Sequence, residues 1–211
     1  MMTDNKLTDV RDVMAKIISF IFHPLFMPLY GMWIIFSAPT ILGYLPVEVK
    51  KILFFIILVN NVLIPITLMP FFRYRNVISS YNIDERRERV TPLLATTLLY
   101  SITTIIIFRF QIPLFLKSFI IACSFLVLSV SIINFWWKIS IHSVGVGALT
   151  AIVIILSVKM YTFLTWYLIG VILVGGLVLS SRLRLNVHNP PQVWVGYAAG
   201  FIGLFLFMLI F

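Results

Sequence analysis

Long apolar runs separated by short polar segments organise this chain from end to end. A helix needs about 20 apolar residues to cross a bilayer. Seven such runs can be read, at Ile17–Phe36, Ile52–Phe72, Pro92–Phe108, Pro113–Trp136, Ser140–Val158, Tyr161–Ser180 and Pro190–Phe211. The pattern predicts an all-α fold, a polytopic transmembrane helix bundle of about six to seven spans. The third run is the shortest. No repeat and no low-complexity linker divides the chain, so residues 1–211 read as a single integral membrane domain, with residues 1–15 a short polar N-terminus. The first run carries His23, Pro24 and Pro28 and has no small-x-small cleavage site, which argues against a removed signal.

Crossing parity places the polar segments. Residues 73–91 follow two spans, residues 137–141 follow four and residues 181–189 follow six, so all three emerge on one side. That side collects Arg86, Arg87, Arg89, Lys138, His142, Arg182, Arg184 and His188. The opposite loops hold Lys50, Lys51, Arg109, Lys117 and Lys159, without a histidine. The rich face also begins three helices. Thr91-Pro92 reads as cap and first residue of the third span, Ser140 as cap of the fifth, and Asn189-Pro190-Pro191 as the start of the seventh. A helix N-terminus offers unpaired N–H groups and the positive end of the helix dipole, both favourable to an anion.

Composition supports the membrane class. Apolar residues make up 61% of the chain and charged ones 11%, and the mean hydropathy is +1.08. The net charge of +9 is accounted for by basic residues at span ends, which snorkel or meet anionic headgroups. No soluble basic face is left for a nucleic acid. The lone Cys123 forms no internal disulfide. All seven acidic residues lie outside the spans without metal-ligand spacing to a histidine, so neither a metal nor another cofactor is expected.

Histidine can act as nucleophile or as acid, and arginine clamps phosphate oxygens bidentately. Two histidines and several arginines on one membrane face therefore point to a phosphate ester. Three local readings compete. Arg182 and Arg184 could be headgroup anchors. Asn189 and Gln192 have the spacing of a capping box, with an orienting role for Gln192 toward His188 as the alternative. Residues 84–89 could be a solvated helix with a Glu85–Arg89 pair; Arg86 and Arg89, three residues apart, are the preferred phosphate ligands. His23 lacks neighbouring cations and reads as structural or as groove lining. Asn60-Asn61, Pro65 and Pro70 predict a kinked second span. Gly196-x-x-x-Gly200 predicts close helix packing.

Ser181-Arg182, five residues, then His188 resembles the third signature of the type 2 phosphatidic acid phosphatase superfamily, S-R-x-x-x-x-x-H-x-x-x-D. Ile139-Ser140-Ile141-His142 resembles its second, P-S-G-H. The segment from Asp84 to Pro92 stands where the first, K-x-x-x-x-x-x-R-P, would fall. The last position of the third signature is Gln192 instead of aspartate, and the first motif has altered spacing. The resemblance covers residues 84–211 and implies a phosphatase-like helical core. It implies His188 as nucleophile, His142 as proton donor to the leaving group, and Arg182, Arg89, Arg86, Lys138 and Ser140 around the phosphate, with Gln192 orienting His188.

These readings lead to a metal-independent phosphatase acting on a membrane lipid phosphate through a phosphohistidine. The alternative is a lipid-binding or transport protein of the same fold with weakened catalysis. The partners expected are the lipid phosphate and the bilayer, with no nucleic acid, and the chain leaves room for a homo-oligomer. The histidine face together with the N-terminus carries eleven of the sixteen Lys and Arg residues, a cytoplasmic signal. Setting aside the four cations assigned to phosphate leaves seven against five, and the resemblance favours a site on the extracytoplasmic side of the plasma (inner) membrane.

Overall fold

The computed structural model describes residues 9–81, 83 and 85–211. The first eight residues of the polar N-terminus, and Asp84 at the head of the first cationic motif, lie outside the described residues. The helices are α1 (Val10–Ile21), α2 (Met27–Ser37), α3 (Val47–Ile57), α4 (Ile64–Tyr74), α5 (Val90–Phe108), α6 (Leu114–Asn134), α7 (Ile141–Lys159), α8 (Thr165–Arg184) and α9 (Pro190–Ile210). Among the described residues the fold is entirely helical, and seven segments are long and apolar enough to cross a membrane. Outward-facing Leu98, Ile105, Leu173 and Trp194 are each about half exposed or more, as side chains bathed in lipid would be.

Three segments depart from the expected boundaries for local reasons. The first long segment, Val10–Ser37, breaks at His23-Pro24, where a short 3₁₀ turn separates α1 from α2. Pro24 at the first position of that turn has no N–H to donate, so α1 ends before it. At 1.5 Å per residue α1 is about 18 Å long, too short to cross alone. Its start is fastened to the end of α8, where Arg184 pairs with Asp9 and, at 2.7 Å, with Asp12.

The second long segment carries a π-helical turn over Leu58–Leu63 between α3 and α4. Pro65 cannot donate to the carbonyl of Asn61 four residues back, which favours a widened turn there. The turn aims Asn61 inward, and its side-chain oxygen accepts a 2.6 Å hydrogen bond from Thr103 of α5. The expected kink is therefore a π turn locked by an interhelical bond.

The third segment begins earlier than Pro92. Residues Arg87–Arg89 form a 3₁₀ turn that runs straight into α5. Arg89 takes the cap position in place of Thr91, and Pro92 falls inside the first turn, where its missing N–H leaves no helix bond unmade.

At the centre α7 crosses α9 with backbones nearly touching. A methyl group added at Gly147 would collide with the Tyr197 carbonyl, and one at Gly200 with the Val144 carbonyl. At Gly196 it would stand 2.8 Å from the Ser140 carbonyl oxygen. Only glycine admits such an approach. Higher up, the Ser140 amide donates to the Gln192 carbonyl at 3.2 Å, joining the starts of α7 and α9. The glycine pattern thus brings the helix whose first turn holds His142 against the helix that follows His188.

Candidate functional site

The three polar connections expected on one face do meet. Arg86 lies against the end of α6, the α7 start is bonded to the α9 start, and Arg89, His142, Arg182 and His188 line one cavity of about 560 Å³. The same cavity continues between helices past Met69, Tyr100, Cys123 and Leu126. Tyr100 lies ten residues into α5, so the hollow extends about 15 Å from the polar end. One end carries cations and imidazoles, and the remainder is apolar.

His188 is buried, 7% exposed, directly before the first turn of α9. Its Nδ1 is 3.0 Å from Oε1 of Gln192. The same oxygen accepts the Asn189 backbone N–H at 3.3 Å, while the Gln192 N–H is accepted by Asn189 Oδ1 at 3.1 Å. Both readings of Gln192 therefore hold together: it closes a capping box and it touches the histidine. A backbone N–H only donates, so the Gln192 atom shared with it is the carbonyl oxygen. The His188 partner must then be Nδ1–H, and the lone pair is left on Nε2. Burial, with Arg89, Arg182 and Lys138 nearby, pushes the His188 pKa down to about 4, although the bond to Gln192 works in the other direction. At neutral pH the ring is uncharged, with the lone pair on Nε2.

His142, in the first turn of α7, directs Nε2 to the Ser19 carbonyl at 3.1 Å. A carbonyl only accepts, so His142 carries its proton there and Nδ1 is its remaining nitrogen. Arg89 is buried, 8% exposed, and its Nε donates to the Ile83 carbonyl at 2.8 Å, which fixes the guanidinium at the cavity wall. Arg182 lines the cavity from the last turn of α8.

The other expected ligands stand elsewhere. Arg86 donates to the carbonyls of Asn134, at 3.3 Å, and Phe135, while Asn134 Nδ2 donates back to the Arg86 carbonyl at 3.1 Å. It closes the C-terminus of α6 and does not line the cavity. Ser140 is fully buried, accepts from Ser143 Oγ at 2.8 Å, and makes no side-chain cap. Its backbone amide joins the α7 start to the α9 start, and its side chain does not line the cavity. Lys138 is half-buried outside the cavity wall, yet its charge reaches His188.

His23, read from the sequence as structural or as groove lining, lines the same cavity. The break after α1 swings it into the cavity, where its ring stands edge-on to that of His142 with centroids 5.4 Å apart. The sequence held one signal for this, a His-Pro pair inside an apolar run. Among the described residues no three His, Cys, Asp or Glu side chains come together closely enough to hold a metal ion. Compared with family models, curated proteins and solved structures, the chain matches none.

Proposed function

We propose that this membrane protein is a metal-independent phosphatase of lipid phosphates, a divergent relative of the type 2 phosphatidic acid phosphatases with a similar helical core. The observation that carries the reading is the bared Nε2 of His188, facing a cavity that joins two arginines to an apolar hollow. The substrate's phosphate is held at Arg89 and Arg182, and its tail occupies the hollow toward Tyr100 and Cys123.

Nε2 of His188 attacks phosphorus in line as the bond to the lipid oxygen breaks. That oxygen takes a proton that Nδ1 of His142 first accepts from the phosphate monoanion, while the His142 Nε2–H stays on the Ser19 carbonyl. Arg89 and Arg182 balance the charge on the phosphoryl oxygens. Water then attacks the phosphohistidine, its proton passing through Nδ1 of His142 to the departing phosphate, and His188 and inorganic phosphate are released. The site faces outward from the plasma (inner) membrane, and reporters fused to the two termini would give opposite sides.

Gln192 favours a second reading. It sets the tautomer but supplies no negative charge for an imidazolium, and loss of such a carboxylate elsewhere costs about 10⁴ in rate. A lipid-binding protein with little turnover would have the same cavity. Phosphate release from a lipid phosphate in detergent, with EDTA present, decides between them. Release that disappears in His188→Ala supports the enzyme; none from the wild type over a broad lipid panel supports the binder.

A further inference from the structure

We propose that His23 is a third histidine of the anion site, a neutral donor whose Nε2–H hydrogen-bonds the phosphoryl group held at Arg182. The inference deepens the phosphatase reading and rests on it.

The tautomer follows from local structure. His23 caps the 3₁₀ turn that opens at Pro24, and its Nδ1 accepts the Leu25 N–H at 3.4 Å. An amide N–H only donates, so Nδ1 holds the lone pair and the neutral ring bears its proton on Nε2. Among the described residues that Nε2–H has no hydrogen-bond acceptor, although the ring is largely enclosed in the cavity wall. A half-buried donor of this kind is stabilised by an acceptor from outside the protein. What lines the cavity beside it is cationic, Arg89 and Arg182, so the fitting acceptor is an anionic oxygen.

The position is held from two sides. Ser19 and His23 stand one turn apart at the end of α1; the first fixes His142 through its carbonyl, the second packs edge-on against the same ring. One helix end therefore orients His142 and presents a second imidazole beside it. Metal ligation is the other use of three histidines around one hollow, and their spacing does not serve it. A donor that keeps its proton needs no proton transfer; it stabilises charge where charge develops.

The test compares His23→Phe, which keeps a flat ring without donors, with His23→Gln, whose amide restores an N–H near the Nε2 position. His23→Ala replaces the Phe variant if that protein does not survive extraction. The probes are turnover of dioctanoyl phosphatidic acid and calorimetric binding of orthovanadate, both on the full chain in detergent. His23→Phe is expected to lose about 10²-fold in kcat with KM little changed. Its vanadate affinity should fall on the order of tenfold, and His23→Gln should recover most of both. Unchanged turnover and vanadate affinity in His23→Phe overturn the inference, as does a Gln variant no better than Phe, or a wild type that binds no vanadate. Failure of the phosphatase reading looks different: vanadate binding that depends on His23, in a protein that releases no phosphate.

Discussion

His188 and Gln192 share a 3.0 Å hydrogen bond whose direction is set by a third group, the Asn189 amide, through the same side-chain oxygen. A neutral side chain thereby does the tautomer-setting that a carboxylate does in hydrolytic triads. Gln192→Glu keeps the acceptor and adds a charge that favours imidazolium. It should leave the enzyme active and move the acid limb of its pH–rate profile upward. Gln192→Leu removes both bonds and should lower kcat at least 10²-fold with a loss of about 1 kcal/mol from the lost cap. A Leu variant with wild-type turnover would show that the bond to His188 has no catalytic part.

In the proposed reaction attack requires unprotonated His188, and its pKa of about 4 lies below the ordinary histidine value. The acid limb of kcat/KM should therefore fall near pH 4 and not near 6.5. Lys138 is one of the charges holding that value down, so Lys138→Ala should shift the limb toward higher pH. A limb that stays in place in Lys138→Ala would remove Lys138 from the electrostatics of the site.

Arg86 and Arg182 should separate in a paired experiment. Arg86→Ala leaves the α6 carbonyls of Asn134 and Phe135 without their cationic donor and should lower stability by about 1–3 kcal/mol, read as a lower thermal midpoint. Its KM should stay close to wild type. Arg182→Ala should behave oppositely, with a near-normal midpoint and turnover reduced 10²-fold or more.

The apolar part of the cavity is tested by filling it. Cys123→Trp adds bulk about 16 Å from the polar end of α6. It should raise KM for long-tailed lipid phosphates while a short water-soluble phosphate monoester is still hydrolysed at the wild-type rate. Equal losses on both substrates would indicate a packing fault.

Much of this fold is legible along the chain, because a bilayer imposes length and apolarity on every span. The glycines of α7 and α9, Pro65 in the second segment and the Asn189–Gln192 spacing each carry a local cause that survives into the structure. Long-range partners do not. Arg86 and Arg89 look equivalent at three-residue spacing, yet Arg86 finds its acceptors some 48 residues away at the end of α6. His23 reads as isolated because its neighbours, Arg182 and His142, arrive from α8 and α7. Ser140 matches a motif position, but the close approach of α7 and α9 at Gly196 encloses it before it can face an anion.

The oxygen of Gln192 that closes the first turn of α9 also fixes where the imidazole before it carries its proton. The position of the His188 proton is thus tied to the seating of α9: unless that first turn forms, the ring is free to carry its proton on either nitrogen.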